Sequence, residues 1–382
     1  MSAKNRSPDV ACGIREQRPH ALDHIAFHLG YDFCLGWAER SEAQRLKVIC
    51  HPYVRVIIAV GVGLHASAQP TELRFIQATI SGINIKGIVR RQCTLGRNDN
   101  VQPGEIRTMA RNRSSIGEFF ESGIIENGSK IKLEIVVHKP EGSGPFPVVI
   151  FNHGSTGSGK NKSYRGKTIE YPSISRYFND RGWMVVFPQR RGRGKSEGIY
   201  DEGFELDRSK YSCDPALSLP GVDRALEDLG AVTTYLTGRA DVVANRMVIA
   251  GASRGGILAI ACAGQSKARF VGAINFSGGW LGRACSTYEV VNRVTFLRGA
   301  SFPGLTIWLH GTKDGYYNIA QCRRNYQAFC EAGGKGTFVE LPGRHGLLLA
   351  TAMWGKYVDE YLSLIEAAPS VTKPPAQTPA VV

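Results

Sequence analysis

The feature of this sequence that most constrains its fold is a regular alternation, from about residue 117 onward, of short β-rich runs with helical patterns. Seven runs are typical of strands: KIKLEIVVH (130–138), PVVIFNH (147–153), MVVFPQ (184–189), MVIAGAS (247–253), VGAINFSG (271–278), LTIWLHG (305–311) and TFVELPG (337–343). An earlier run, EFFESGII, is predicted to pair antiparallel at the edge of the sheet. Strands that alternate with helices build a mostly parallel sheet covered on both faces. The sequence therefore predicts an α/β fold with a central sheet of about eight strands over residues 117–366.

Two amphipathic helices are predicted to cover this sheet. Their apolar positions recur at helical spacing: Val222, Leu226, Leu229, Val232 and Leu236 in one, and Trp354, Val358, Tyr361, Leu362 and Ile365 in the other. Residues 196–219 and 279–302 have no firm pattern and are long for crossover loops, so we expect a lid or pocket wall there. The Pro-rich tail, residues 367–382, is predicted to be disordered.

The residues before the predicted sheet fall into two extensions, residues 1–68, which contain a signal-like segment, and residues 69–116. Residues 54–68 combine an Arg, an apolar run and Ala66-Ser67-Ala68, the layout of a secretory signal with its cleavage site. Since no Met lies between Met1 and Met109, we hypothesise that translation starts near Leu46 or Val54 and that the protein is periplasmic or secreted. The alternative is a cytoplasmic protein in which residues 56–64 form a buried strand. Residues 69–116 are a second extension whose structure the sequence does not indicate.

Charge and cysteine content narrow the functional classes. Lys and Arg number 47 against 33 Asp and Glu, a net charge of +14 that suits an acidic partner. No RNA-binding or zinc-finger signature accompanies it, and the longest basic stretch, RRGRGK (190–195), is interpreted as a solvated loop, so nucleic acid is not predicted as a partner. The alternative is that Arg190, Arg191 or Arg193 holds an anionic group of the substrate. The apolar runs are too short to span a bilayer. Six of the nine Cys lie beyond residue 68, an even number compatible with disulfides after export.

The motif that carries chemistry is Gly251-Ala252-Ser253-Arg254-Gly255, between an apolar strand and an apolar helix. G-x-S-x-G in this context is the nucleophile elbow, in which glycines permit a sharp turn and the serine hydroxyl emerges at the carboxyl edge of the sheet. A serine hydroxyl needs a base, itself oriented by an acid.

The remaining histidines and acids of the predicted sheet supply these partners. His345, in LPGRHGLL, lies between the last strand and the last helix, and Asp314, in LHGTKDGYY, follows the end of a strand. The order Ser, Asp, His is that of the α/β-hydrolase fold. Ser253, Asp314 and His345 are therefore the predicted catalytic residues.

Four local motifs together extend this likeness: NHG after a central strand, RGRGKSEG after the next, GASRGG at the elbow, and HGTKDGYY followed by GRHGLLL. Over about residues 117–366 the chain resembles the α/β-hydrolase superfamily, closest to its dienelactone-hydrolase-like and prolyl-oligopeptidase-like esterase and peptidase branches. The resemblance implies the same roles for Ser253, Asp314 and His345. Dienelactone hydrolases proper use a Cys nucleophile, so the serine here disfavours that particular substrate.

The stretch FNHGSTGSGK comes within one residue of a phosphate-binding P-loop, but Asn161 stands where that motif needs Ser or Thr. The resemblance instead implies an oxyanion hole. Its donors would be the backbone N–H of Ser155, with Thr156 as the alternate, and the backbone N–H of Arg254.

The sequence thus predicts a serine hydrolase that cleaves a carboxylic ester of a small substrate through an acyl-enzyme. A peptidase or amidase of the prolyl-oligopeptidase type is the alternative, and a binding protein that has lost turnover is a third hypothesis. No metal-ligand spacing is present, and we predict no cofactor.

Overall fold

The structure, a computed structural model, describes residues 115–160, 162–266 and 270–367, together with five strands further upstream. The upstream strands are β1 (Gly13–Glu16), β2 (Leu46–Cys50), β3 (Val54–Ile58), β4 (Arg74–Ile80) and β5 (Ile83–Val89). The chain divides into two units, one of which spans residues 20–109. That unit contains an antiparallel sheet with strand order β2-β3-β5-β4. Most of the signal-like segment (residues 59–68) and the tail (368–382) lie outside the described residues.

The other unit is built on a nine-stranded sheet. Eight of its strands follow one another along the chain: β6 (Ile116–Glu126), β7 (Ser129–His138), β8 (Phe146–Asn152), β9 (Met184–Pro188), β10 (Val242–Ala252), β11 (Phe270–Phe276), β12 (Leu305–Gly311) and β13 (Gly336–Leu341). Their order is β6-β7-β9-β8-β10-β11-β12-β13, with β1 parallel to β13 at the far edge. Strand β7 runs antiparallel to both its neighbours, and the other pairs are parallel.

This order, with the second strand reversed, is that of the α/β-hydrolase fold, so the predicted fold class is confirmed. All seven predicted strands are present, and EFFESGII lies in the antiparallel edge strand β6. The additional strand β1 was not predicted from the sequence.

In the described residues, six α-helices cover the sheet: α1 (Pro172–Asn179), α2 (Pro215–Thr237), α3 (Arg254–Gln265), α4 (Tyr288–Leu297), α5 (Ile319–Glu331) and α6 (Thr351–Ala367). Helices α2 to α5 enclose one core cluster and α1 and α6 the other, so both faces are covered. The two predicted amphipathic helices are α2 and α6. Helix α4 was missed because its buried face mixes Val291 and Phe296 with Asn292 and Thr295, which obscures the apolar period. Among the described helices, none is both long and apolar enough to cross a bilayer.

Candidate active site

Ser253 lies in the turn that joins β10 to α3, at the carboxyl end of a central strand. Its φ of 56° is in the left-handed region, which residues with a Cβ rarely adopt. The turn is also too tight for neighbouring side chains. A Cβ on Gly251 would lie 2.3 Å from the carbonyl oxygen of Gly255, and one on Gly255 would lie 2.1 Å from that of Asn152. Local packing therefore requires Gly251 and Gly255 on either side of the half-buried Ser253.

Asp314 and His345 follow the carboxyl ends of β12 and β13, at the same edge of the sheet. His345 Nδ1 is hydrogen-bonded to Asp314 Oδ2 at 2.8 Å. The other oxygen, Oδ1, accepts hydrogen bonds from the backbone N–H of Tyr316 (2.8 Å) and of Tyr317 (3.1 Å). Burial alone would raise the pKa of Asp314, but His345 and these two amides hold it below its usual value. The aspartate is therefore ionised and fixed toward the imidazole.

Tyr317 lies against two of the predicted catalytic residues. Its backbone N–H donates to Asp314, its ring centroid is 5.4 Å from that of His345, and its hydroxyl donates to the carbonyl of Gly279 at 2.6 Å. Burial raises the pKa of Tyr317 to about 12. Among the described residues, Ser253 Oγ has no direct hydrogen bond to His345. Sequence reasoning missed Tyr317, although its place three residues after Asp314 offered a signal.

The loop after β8 passes beside Ser253. A Cβ on Gly154 would lie 3.2 Å from Ser253 Cβ and 3.8 Å from its Oγ. Within the described part of the chain, the backbone N–H groups of Ser155 and Arg254 donate no hydrogen bond. By contrast, the N–H of Thr156 donates to the Tyr211 hydroxyl at 3.1 Å. Among the described residues, the N–H groups of Ser155 and Arg254 thus flank Ser253 without an acceptor, whereas the N–H of the alternate, Thr156, already has one.

The basic stretch 190–195 is not a solvated loop, and that interpretation was wrong. Arg190, Arg191 and Arg193 are at most 4% exposed. Arg190 Nε pairs with Glu202 at 2.5 Å, and Arg191 Nε pairs with Asp228 at 2.5 Å. The interpretation failed because the acidic partners are 12 and 37 residues further along the chain.

In the described ranges, no three His, Cys, Asp or Glu side chains lie together in a way that could hold an ion.

Comparison with known proteins gives matches among solved structures only. No family model matches the chain, and no curated protein matches it. It is similar to an acylaminoacyl peptidase from Pyrococcus horikoshii (15% identity, TM-score 0.48), over 68% of this chain and 42% of the peptidase. It is also similar to esterase 2 from Thermogutta terrifontis (16% identity, TM-score 0.45), over 67% of this chain and 97% of the esterase. A third match, acetyl xylan esterase 1 from Thermoanaerobacterium sp. (17% identity, TM-score 0.43), covers 66% and 88% of the two chains.

Proposed function

We propose that this protein is a serine hydrolase that cleaves a carboxylic ester of a small substrate, with Ser253 as nucleophile, His345 as base and Asp314 as its orienting acid. The observation that carries the proposal is the Asp314–His345 hydrogen bond at the sheet edge where the nucleophile elbow presents Ser253. Tyr317 supports the proposal: its ring packs against the imidazole, its hydroxyl donates to the carbonyl of Gly279, and the N–H of Gly279 donates to the carbonyl of Ser253 at 3.2 Å.

Proton transfer follows from the hydrogen bonds of the imidazole. The bond from Nδ1 to an ionised carboxylate keeps the proton on Nδ1, so Nε2 is the free base. Ser253 attacks the ester carbonyl as His345 takes its proton, and Asp314 stabilises the imidazolium that forms. His345 then gives the proton to the departing alcohol, which leaves an acyl group on Ser253. Water attacks this acyl group with His345 again as the base, and the acid is released as the proton returns to Ser253. Catalytic hydrogen bonds are often long without substrate, which is consistent with the absent Ser253–His345 bond in the described residues.

The oxyanion of the tetrahedral intermediate is assigned to the N–H groups of Ser155 and Arg254. Both are unpartnered within the described chain and adjoin Ser253, one through Gly154 and the other as the next residue. Each such donor contributes about 3 kcal/mol to the transition state.

An ester is preferred to a peptide as substrate. Cleavage of a peptide bond demands better proton delivery to the amine leaving group, and a longer substrate-binding groove, than the sequence indicates. The comparison of ester with amide turnover decides between the two.

A fluorophosphonate probe tests the proposal. We expect a covalent adduct on Ser253, turnover of short acyl esters, and weaker turnover of aminoacyl amides. Ser253→Ala should abolish both labelling and turnover, whereas the control Ser158→Ala, an exposed serine of the neighbouring loop, should retain them. A wild-type chain that neither labels nor turns over any ester would favour a non-catalytic binding protein.

We also propose that the protein works in an oxidising compartment, outside the cytoplasm. A disulfide between Cys213 and Cys285 supports this, because such bonds persist in exported proteins and are rare in reduced cytosol. Fractionation of cells that express the natural gene, with an antibody against the chain, tests the compartment.

A further inference from the structure

A chain of hydrogen bonds runs from the loop after β8 to the buried Glu202. The N–H and hydroxyl of Thr156 lie 3.1 and 2.8 Å from the Tyr211 hydroxyl, which is bonded in turn to the Tyr200 hydroxyl. Tyr200 donates to Glu202 Oε2 at 3.0 Å. An ionised carboxylate only accepts, so Tyr200 donates to it, Tyr211 donates to Tyr200, and Thr156 donates to Tyr211. Every hydroxyl in the chain therefore has one defined direction.

The same carboxylate holds the residue after the nucleophile. Arg254 Nη1 donates to the Glu202 backbone carbonyl at 2.9 Å and lies 3.3 Å from Oε2. Its guanidinium is sandwiched between the rings of Tyr211 (3.6 Å) and Trp280 (4.2 Å). The side chain of Arg254 is therefore fixed by Glu202 and by the tyrosine that also holds the Thr156 loop.

A third connection passes through Arg190. Its Nε pairs with Glu202 Oε1 at 2.5 Å, and its Nη1 donates to the carbonyl of His153 at 3.0 Å. Burial alone would raise the pKa of Glu202, but the charges of Arg190 and Arg254 hold it below its usual value. Glu202 is therefore a charged centre, 3% exposed, to which both sides of the oxyanion hole are tied.

We propose that Glu202 is a positioning residue that fixes the distance between the Ser155 and Arg254 amides. This rests on the proposed function. Oxyanion donors act by preorganisation, and a displacement of about 1 Å costs roughly 10²-fold in rate. The Ser155 loop is fixed through the tyrosine pair and through Arg190, whereas Arg254 is fixed by its own side chain.

Two variants test the proposal. Glu202→Gln keeps the volume and removes the charge, and Tyr200→Phe removes one hydroxyl without changing any charge. We expect kcat for a short acyl ester to fall about 100-fold in Glu202→Gln and about tenfold in Tyr200→Phe, with KM within about twofold of wild type. A trifluoromethyl ketone that forms a tetrahedral adduct on Ser253 should bind more weakly by the same factors. The pH profile of kcat/KM should keep its midpoint, because the Asp314–His345 pair is untouched.

Asp228→Asn is the matched control. Asp228 is also buried and paired with an arginine of the same segment, Arg191, but it has no hydrogen bond to the Ser155 loop or Arg254 in the described structure. The Asp228→Asn substitution should lower the unfolding temperature while leaving kcat and the affinity for the trifluoromethyl ketone unchanged. If Glu202→Gln does not fold, Tyr200→Phe carries the test.

The outcomes separate this proposal from the proposed function. The role of Glu202 alone would be overturned if wild type is active and the variants match it, or if only KM changes in the variants. It would also be overturned if the control Asp228→Asn loses as much kcat as Glu202→Gln. A wild-type chain without turnover or Ser253 labelling would overturn both.

Discussion

Substitution of Gly279 by alanine should disturb the site through one predictable steric clash. The new Cβ would lie 2.3 Å from Cε1 of Tyr317 and 2.6 Å from its Cδ1 and Cζ. Ordinary carbon contacts are about 3.5–4.0 Å, so the ring has to retreat by about 1.2–1.7 Å. Gly279 has no positive φ, so the substitution carries no backbone strain of its own.

The ring of Tyr317 cannot retreat freely. Its hydroxyl donates to the Gly279 carbonyl, its N–H donates to Asp314, and its side chain is buried. The displacement should therefore pass to the loop that carries Asp314. Overpacking of this kind costs about 1–3 kcal/mol of stability, and if the proposed roles hold, a shift of about 1 Å at the Asp314–His345 pair costs roughly 10²-fold in kcat.

Chemical denaturation and ester turnover measure the two effects. Gly282→Ala is the control, since its Cβ would meet nothing closer than the Tyr316 carbonyl oxygen at 3.7 Å. In a Tyr317→Leu background the ring is gone, so the cost of Gly279→Ala should fall to that of the control. The reasoning is refuted if Gly279→Ala and Gly282→Ala behave alike in the otherwise unaltered protein.

Three further predictions concern the oxyanion loop, acid stability and the disulfide. Ser155→Ala keeps the amide and should change kcat less than twofold, whereas Ser155→Pro removes the donor and should lower kcat by about 10²–10³-fold; equal tolerance of both would exclude Ser155 from the hole. Burial lowers the pKa of His310 from 6.5 to about 4. Because the unfolded chain binds this proton more tightly, stability present above pH 6.5 should be lost as the pH falls to 4, by about 3 kcal/mol. Urea denaturation at several pH values in that range should show that the unfolding free energy of His310→Gln depends less steeply on pH than that of wild type. An equal dependence on pH in the two proteins would argue against His310 as its cause. The Cys213–Cys285 disulfide closes a separation of 72 residues, so Cys213→Ser with Cys285→Ser should cost about 4 kcal/mol of unfolding free energy. Dithiothreitol should destabilise wild type by at least as much as this double substitution does, and indifference to the reductant would contradict the prediction.

The sequence determined the sheet and the elbow, because both depend on neighbours along the chain. Runs such as MVVFPQ are short, apolar and rich in β-branched residues, and these local properties favour a buried strand over a helix. The turn at Ser253 is similarly local, since two glycines and the flanking strand and helix specify it. The order of Asp314 and His345 after their strands also places both at one sheet edge, where the structure joins them by a hydrogen bond.

Tertiary packing alone decided what surrounds the serine. The contacts of Glu202 with Arg254, of Tyr211 with Thr156 and of Tyr317 with Gly279 join residues 52, 55 and 38 positions apart. No local periodicity encodes such pairs, because each depends on how two separate loops pack over the sheet. The same reason explains why RRGRGK was interpreted as solvated: charged side chains are costly to bury alone, and their buried acidic partners become neighbours only in the folded chain.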